Sequence, residues 1–155
     1  MADKLPFDLV SAHRYFAVEC FNGTWALIDK PTRSPIEEEQ MLLRSFASFF
    51  HWTQRPDCTA ENRSISLWQI SRVYALLGQP ENALRYAEQC RAESAAPDLP
   101  PYCTGFAYEA LARASMLVGD KVKMQEYLAE AHKIFESMTD EEDRNMLLKD
   151  LSTIQ

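Results

Sequence analysis

Apolar side chains recur every three to four residues along most of this chain, and strictly alternating apolar and polar stretches are absent. That spacing gathers apolar groups on one face of a helix and leaves little room for β-strands. The punctuation between the periodic stretches is that of helix ends. Ser34-Pro35-Ile36-Glu37 reads as a capping box with proline at the first helical position, and Thr139-Asp140-Glu141-Glu142 reads as a second box. Asp8, Thr59 and Asp120 each precede a periodic run and suit an N-cap, whose side-chain oxygen satisfies a free amide of the first turn. Pro80 closely follows Gly78, so one helix stops there and the next starts almost at once.

These signals predict about seven helices, at about 8–29, 35–53, 60–77, 80–94, 102–118, 121–137 and 140–153. In the first, Leu9, Ala12, Phe16, Cys20 and Leu27 are expected to form the buried stripe, and Asn22-Gly23 is the place where that helix would break. The second carries Leu42, Leu43, Phe46, Ala47, Phe49 and Phe50 on its apolar side. A helical wheel of the third puts Leu67, Ile70, Val73, Tyr74 and Leu77 in the core. Ile65, Trp68, Arg72, Ala75 and Leu76 fall on its other face.

The chain also repeats itself. Ser71-Arg72-Val73-Tyr74-Ala75-Leu76-Leu77-Gly78-Gln79 and Ala112-Arg113-Ala114-Ser115-Met116-Leu117-Val118-Gly119-Asp120 both run from Arg through a mostly apolar stretch to Gly and a polar residue. Their glycines lie 41 positions apart. A tetratricopeptide (TPR) unit takes about 34 residues, and the loop Pro97–Pro101 accounts for the surplus. Gly78, Ala83, Ala87 and Cys90 supply the small residues that let paired helices approach closely. Met124, Leu128 and Ala131 take the matching places in the second unit, with Met124 larger than usual there. The expected architecture is therefore all-α, a right-handed TPR-like stack of antiparallel helix pairs in one domain spanning 1–155. A divergent first pair (about 8–53) precedes repeat pairs at about 60–94 and 102–137, and a capping helix (about 140–153) covers the apolar end of the stack.

Composition narrows the functional classes. Sixteen basic against twenty-three acidic residues give a net charge of −7 with no basic run, which argues against nucleic-acid partners. No segment approaches twenty apolar residues and Met1 to Pro6 hold no apolar leader, so no membrane association and a cytoplasmic location are expected. Cys20, Cys58, Cys90 and Cys103 are scattered without a C-x-x-C pair, and are read as small hydrophobes.

Several segments, taken in order, resemble an uncharacterised family of small bacterial TPR-like proteins. They are Trp25-Ala26-Leu27-Ile28-Asp29-Lys30-Pro31, His51-Trp52, Trp68-Gln69-Ile70-Ser71-Arg72-Val73-Tyr74, Phe106-Ala107-Tyr108-Glu109-Ala110-Leu111-Ala112-Arg113-Ala114 and Asp140-Glu141-Glu142-Asp143-Arg144. The resemblance implies a helical-repeat fold and no particular activity. Phe46 stands where that family usually has histidine, and the surroundings of Pro101 and Cys103 lack its acidic residues. The resemblance therefore implies that any site built on those polar groups is lost or altered in this chain.

In a TPR stack the first helix of each pair lines the concave groove. Trp68 and Arg72 from one unit and Phe106, Glu109, Arg113 and Met116 from the next are the candidate ligand-binding set. Two guanidiniums at the same repeat position suit an acidic peptide segment or small anionic ligand, because each offers a planar fork of donors. The competing reading makes Arg72 and Arg113 structural ion pairs, for instance with Glu109. An alternative pocket of His51, Trp52 and Tyr108 beside Glu109 would suit a small-ligand sensor or an enzyme with a His51–Glu109 acid/base pair. A homo-oligomer with Trp25 or Trp52 in its interface is a third possibility. His13, His51 and His132 lack metal-ligand spacing, and no phosphate loop or nucleophile elbow occurs, so no metal, cofactor or catalytic residue is assigned.

Overall fold

Each expected helix forms within two residues of its expected ends in the computed structural model, which describes residues 6–155. The rest of the stretch read for a leader, residues 1–5, lies outside the described residues. The elements are α1 (Leu9–Ile28), α2 (Pro35–Thr53), α3 (Ala60–Leu76), α4 (Pro80–Glu93), α5 (Pro101–Val118), α6 (Lys121–Ser137) and α7 (Glu141–Leu151). Capping chemistry explains most of these ends. Asp8 accepts from the Ser11 amide, Ser34 and Glu37 form the expected reciprocal box, and Thr59 forms another with Asn62. The cap of α7 differs from expectation. Asp140 rather than Thr139 is its N-cap and takes the Asp143 amide, so the helix opens one residue later.

The two repeat units end alike. Gly78 and Gly119 both adopt left-handed backbone, at φ 66° and 79°, a conformation that favours glycine because it has no Cβ. At each glycine the next amide reaches back to the last turn, Gln79 to Tyr74 and Asp120 to Ser115, both at 3.0 Å. This double closure satisfies carbonyls that the helix leaves open and turns the chain into the second helix of the pair.

Adjacent helices pack pairwise, α1 on α2, α3 on α4 and α5 on α6. Successive pairs join through α2 on α3 and α4 on α5, and the first helices meet as α1 on α3, α3 on α5 and α5 on α7. The result is an all-α stack compatible with a helical-repeat fold. Helices α3 and α5 hold its centre, where Leu67, Trp68, Phe106, Ala107, Ala110 and Leu111 pack with Ala87, Met124 and Ala131. Leu147, Leu151 and Ile154 of the C-terminal segment close onto the same cluster. Gly105 admits α7, because a Cβ there would stand 2.7 Å from Leu147 Cδ2. None of the described helices is long and apolar enough to cross a membrane.

The first pair departs from the expected core. Leu9 and Phe16 are both 48% exposed, and the buried residues of α1 are Ala17 and Thr24. Leu43 and Phe50 of α2 also face out, whereas Met41, Ser45 and Ser48 are buried. The cause is close helix approach over small side chains. Ser48 donates to the Ala17 carbonyl at 2.8 Å across the contact, and Arg44 lies against Gly23, which does not break α1. Among the residues expected in the core from this helix, Tyr74 and Leu77 are only partly buried. Trp68, assigned to the other face, is buried in the centre.

Candidate functional site

Glu109 is the organising residue. It sits on the inner face of α5 and is 1% exposed, an expensive position for a carboxylate unless it is paired and hydrogen-bonded. The neighbouring helices provide the partners. Trp68 Nε1 donates to Glu109 Oε2 at 2.9 Å, and Arg72 Nη1 donates to Oε1 at 3.1 Å. Arg113, one turn along α5, brings Nε to 2.7 Å and Nη2 to 2.6 Å from the same Oε1. The far sides of both guanidiniums are held by α7 and its end. Arg72 Nη2 reaches Asp150 Oδ1 at 3.3 Å, and Arg113 Nη2 reaches the Asp150 carbonyl at 3.0 Å and Thr153 Oγ1 at 2.7 Å.

The repeat register builds this cluster. Trp68 and Glu109 are 41 residues apart and so occupy equivalent positions on stacked helices. Tyr102 donates to Glu61 across the same 41-residue offset. Burial and the two buried charges together bias the pocket-facing groups. Burial lowers the Arg72 pKa from its ordinary value, Glu109 opposes this, Arg113 adds to it and Asp150 opposes it. Burial raises the Asp150 carboxyl, the Glu109 charge raises it further, and Arg72 and Arg113 pull the other way.

Beside this cluster lies a groove of about 740 Å³, within the ~300–1,000 Å³ typical of ligand sites. Its walls come from α1, α3, α5 and α7, with Trp52 contributed by the end of α2. The centre is aromatic. The Trp68 ring lies 5.2 Å from Trp25 and 4.4 Å from Phe106, centroid to centroid. Of the charged side chains lining the groove, Asp29, Glu61, Asp143 and Asp150 are acidic, and Arg72 and Lys149 are basic.

The sequence-derived candidates divide accordingly. Trp68, Arg72 and Phe106 line the groove, and so does Trp52 from the alternative set. Glu109 and Arg113 stand behind the lining, with Glu109 paired to Arg72 and Arg113 paired to Glu109. Met116 packs against the central cluster. The structure gives His51, Tyr108 and Glu109 separate partners. His51 pairs with His13 through Nδ1 atoms 2.8 Å apart, whereas Tyr108 packs on Tyr127 and under Arg91. Trp25 and Trp52, considered above for an oligomer interface, both face the groove.

Sequence reasoning missed Asp29, Glu61, Asp143 and Asp150 as groove residues. It also missed Gln69, which is fully buried and donates to the Phe21 carbonyl of α1 at 3.0 Å. A polar residue amid the apolar run of α3 was the available signal for Gln69. Cys90 and Cys103 are buried free thiols, both pushed up to about 12 chiefly by burial, which suits packing rather than reactivity. No cluster of three or more metal-ligating side chains occurs among the described residues. No protein family, curated protein or solved structure matches the chain.

Proposed function

We propose that this protein is a noncatalytic, TPR-like binding module whose partner lies in the groove walled by the first helices of successive pairs. The observation that carries the reading is the aromatic-centred cavity of about 740 Å³. Trp25, Trp68 and Phe106 line it with rings tilted against one another, and aromatic linings of this kind anchor ligands at low conformational cost. The buried Glu109 cluster fits a support role. It fixes Trp68 and Arg72 from behind, so the groove is organised before a ligand arrives.

An acidic peptide or small anion was the expectation drawn from Arg72 and Arg113. Glu109 and Asp150 already take donors from both guanidiniums, and the Arg72 Nε is the buried donor there without a partner. Groove occupancy by some ligand and preference for an anion are thus separate questions, and the geometry supports the first.

A thermal-shift screen with small acids, amines, nucleotides, divalent metals and peptide pools tests groove binding. Any compound that binds only the folded protein raises its apparent stability by mass action. The comparison protein is Ile65→Trp, which places a second ring into the cavity from α3. Stabilising compounds are expected to lose their effect in that variant. Shifts of equal size in both proteins would place binding elsewhere and end this reading.

A further inference from the structure

The groove has a direction. Along α3 its lining runs from Glu61 to Leu76, which at 1.5 Å per residue is about 22 Å. The middle, formed by Trp25, Ile65, Trp68, Phe106 and Met146, is apolar. The two ends differ in charge. At one, Asp29 and Asp150 are offset by Arg72 and Lys149. At the other, Glu61 and Asp143 line the groove beside Tyr102, with no cation among the lining residues there.

The unbalanced end is under electrostatic tension. Burial raises the Asp143 carboxyl above its ordinary value, and the charges of Asp140, Glu142 and Glu61 raise it further. The nearby cations are turned away from it. Arg63 pairs with Glu93 at 2.9 Å, and Arg144 donates to the carbonyls of Phe135 and Met138 at 2.8 and 2.9 Å. An incoming ammonium or guanidinium would find two carboxylates with an aromatic wall beside them, the surroundings that favour a cation. An anion would meet two more negative than positive groups along the groove, because four carboxylates line it against two cations.

We propose that the groove receives a basic peptide segment, with a lysine or arginine between Glu61 and Asp143 and large apolar side chains over Trp68 and Phe106. This rests on the groove being the binding site. Peptide chemistry follows from the length. A strand of six or seven residues at ~3.3 Å each covers about 22 Å, so one segment spans the acidic end, the aromatic middle and the mixed end together. The mixed end suits a peptide's polar or acidic residue, held near Lys149.

The test is selection of a random heptamer display library on the wild-type protein, followed by affinity measurement on Glu61→Gln/Asp143→Asn and on Ile65→Trp. Melting temperatures of both variants serve as the control for folding. The selected peptides are expected to combine lysine or arginine with aromatic or large aliphatic residues. Their affinity should fall at least tenfold in Glu61→Gln/Asp143→Asn and be lost in Ile65→Trp. Basic peptides that bind the charge-neutralised variant as well as wild type, or selected peptides that are acidic, overturn the proposal. If such peptides are still lost in Ile65→Trp, the groove survives as the site and only its charge preference fails. If Ile65→Trp leaves them untouched, the groove reading fails too. If no peptide is enriched over an unrelated protein, the peptide proposal fails. Benzyltrimethylammonium, tested by thermal shift on wild type and Ile65→Trp, then decides whether the groove takes a small cation instead.

Discussion

At the scale of single residues, Glu109 shows how a group that resembles catalytic equipment acts as a strut. It is almost wholly buried and carries three partners, two of them cations. Removing its charge would leave Arg72 with the Asp150 carboxylate, and Arg113 with only the Asp150 carbonyl and the Thr153 hydroxyl. Breaking a buried pair from one side typically costs about 3–5 kcal/mol, because the other charge is left uncompensated. Glu109→Gln is therefore expected to lower unfolding stability by about that amount in urea titration monitored by circular dichroism. Stability within about 0.5 kcal/mol of wild type would contradict the strut role. The same logic governs Arg72→Ala and Arg113→Ala, whose binding data need a stability measurement beside them. The equivalence of these two arginines is legible in the sequence because the repeat places each six residues before its glycine. The i, i+4 spacing of Glu109 and Arg113 also allows an ion pair to be anticipated. Their link to Asp150 was not legible, since it depends on how α7 lies against α5.

At the scale of elements, helix ends were readable because capping is local chemistry, decided within four residues. Which face of α1 is buried was not readable by the same means. Large apolar residues such as Leu9 and Phe16 mark an inner face only when a neighbour covers them, and here small residues make the α1–α2 contact. One polar contact also joins these helices, the His13–His51 pair at 2.8 Å, flanked by the rings of Phe16 and Phe50. A hydrogen bond between two Nδ1 atoms needs one of them unprotonated. Burial, and then the His13 charge, lowers the His51 pKa from its ordinary value. The unfolded chain thus binds a proton at His51 more readily than the folded one. The contribution is present above the unfolded value of about 6.5 and is lost as pH falls through it toward the lower folded value. Melting temperatures between pH 8 and pH 5 are expected to fall more steeply for wild type than for His51→Gln. Arg14, Arg55 and Asp57 lie near this end of the pair, so their charges must be held constant, as this single substitution does. Superimposable profiles would show that the pair carries no such linkage.

At the scale of the molecule, the burial pattern is uneven in a way that predicts how the stack opens. Eleven of the eighteen residues of α5 are buried, against two of twenty in α1. Helix α3 is similar to α5, with eight buried of seventeen, and together they carry the central cluster. Acidic groove residues from positions 29, 61, 143 and 150 meet only because that centre holds α1, α3 and α7 around one space. This is why the site's charge was invisible to a reading of local spacing. In a stack where each pair contacts mainly its neighbours, the ends open at lower free energy than the middle. Native-state hydrogen exchange should therefore find the slowest amides in α3 and α5, with protection near that of global unfolding. Amides of α1 are expected to exchange through a smaller opening, at least tenfold faster than those of α5. That opening has a consequence for function, since α1 contributes Val18, Phe21, Trp25 and Ile28 to the groove. A ligand held between α1 and α3 must slow exchange in α1 more than in α5, because it closes the weaker wall onto the stronger one. Uniform protection of all seven helices, with or without ligand, would mean that the chain opens only as a whole and that its end pair is no softer than its centre.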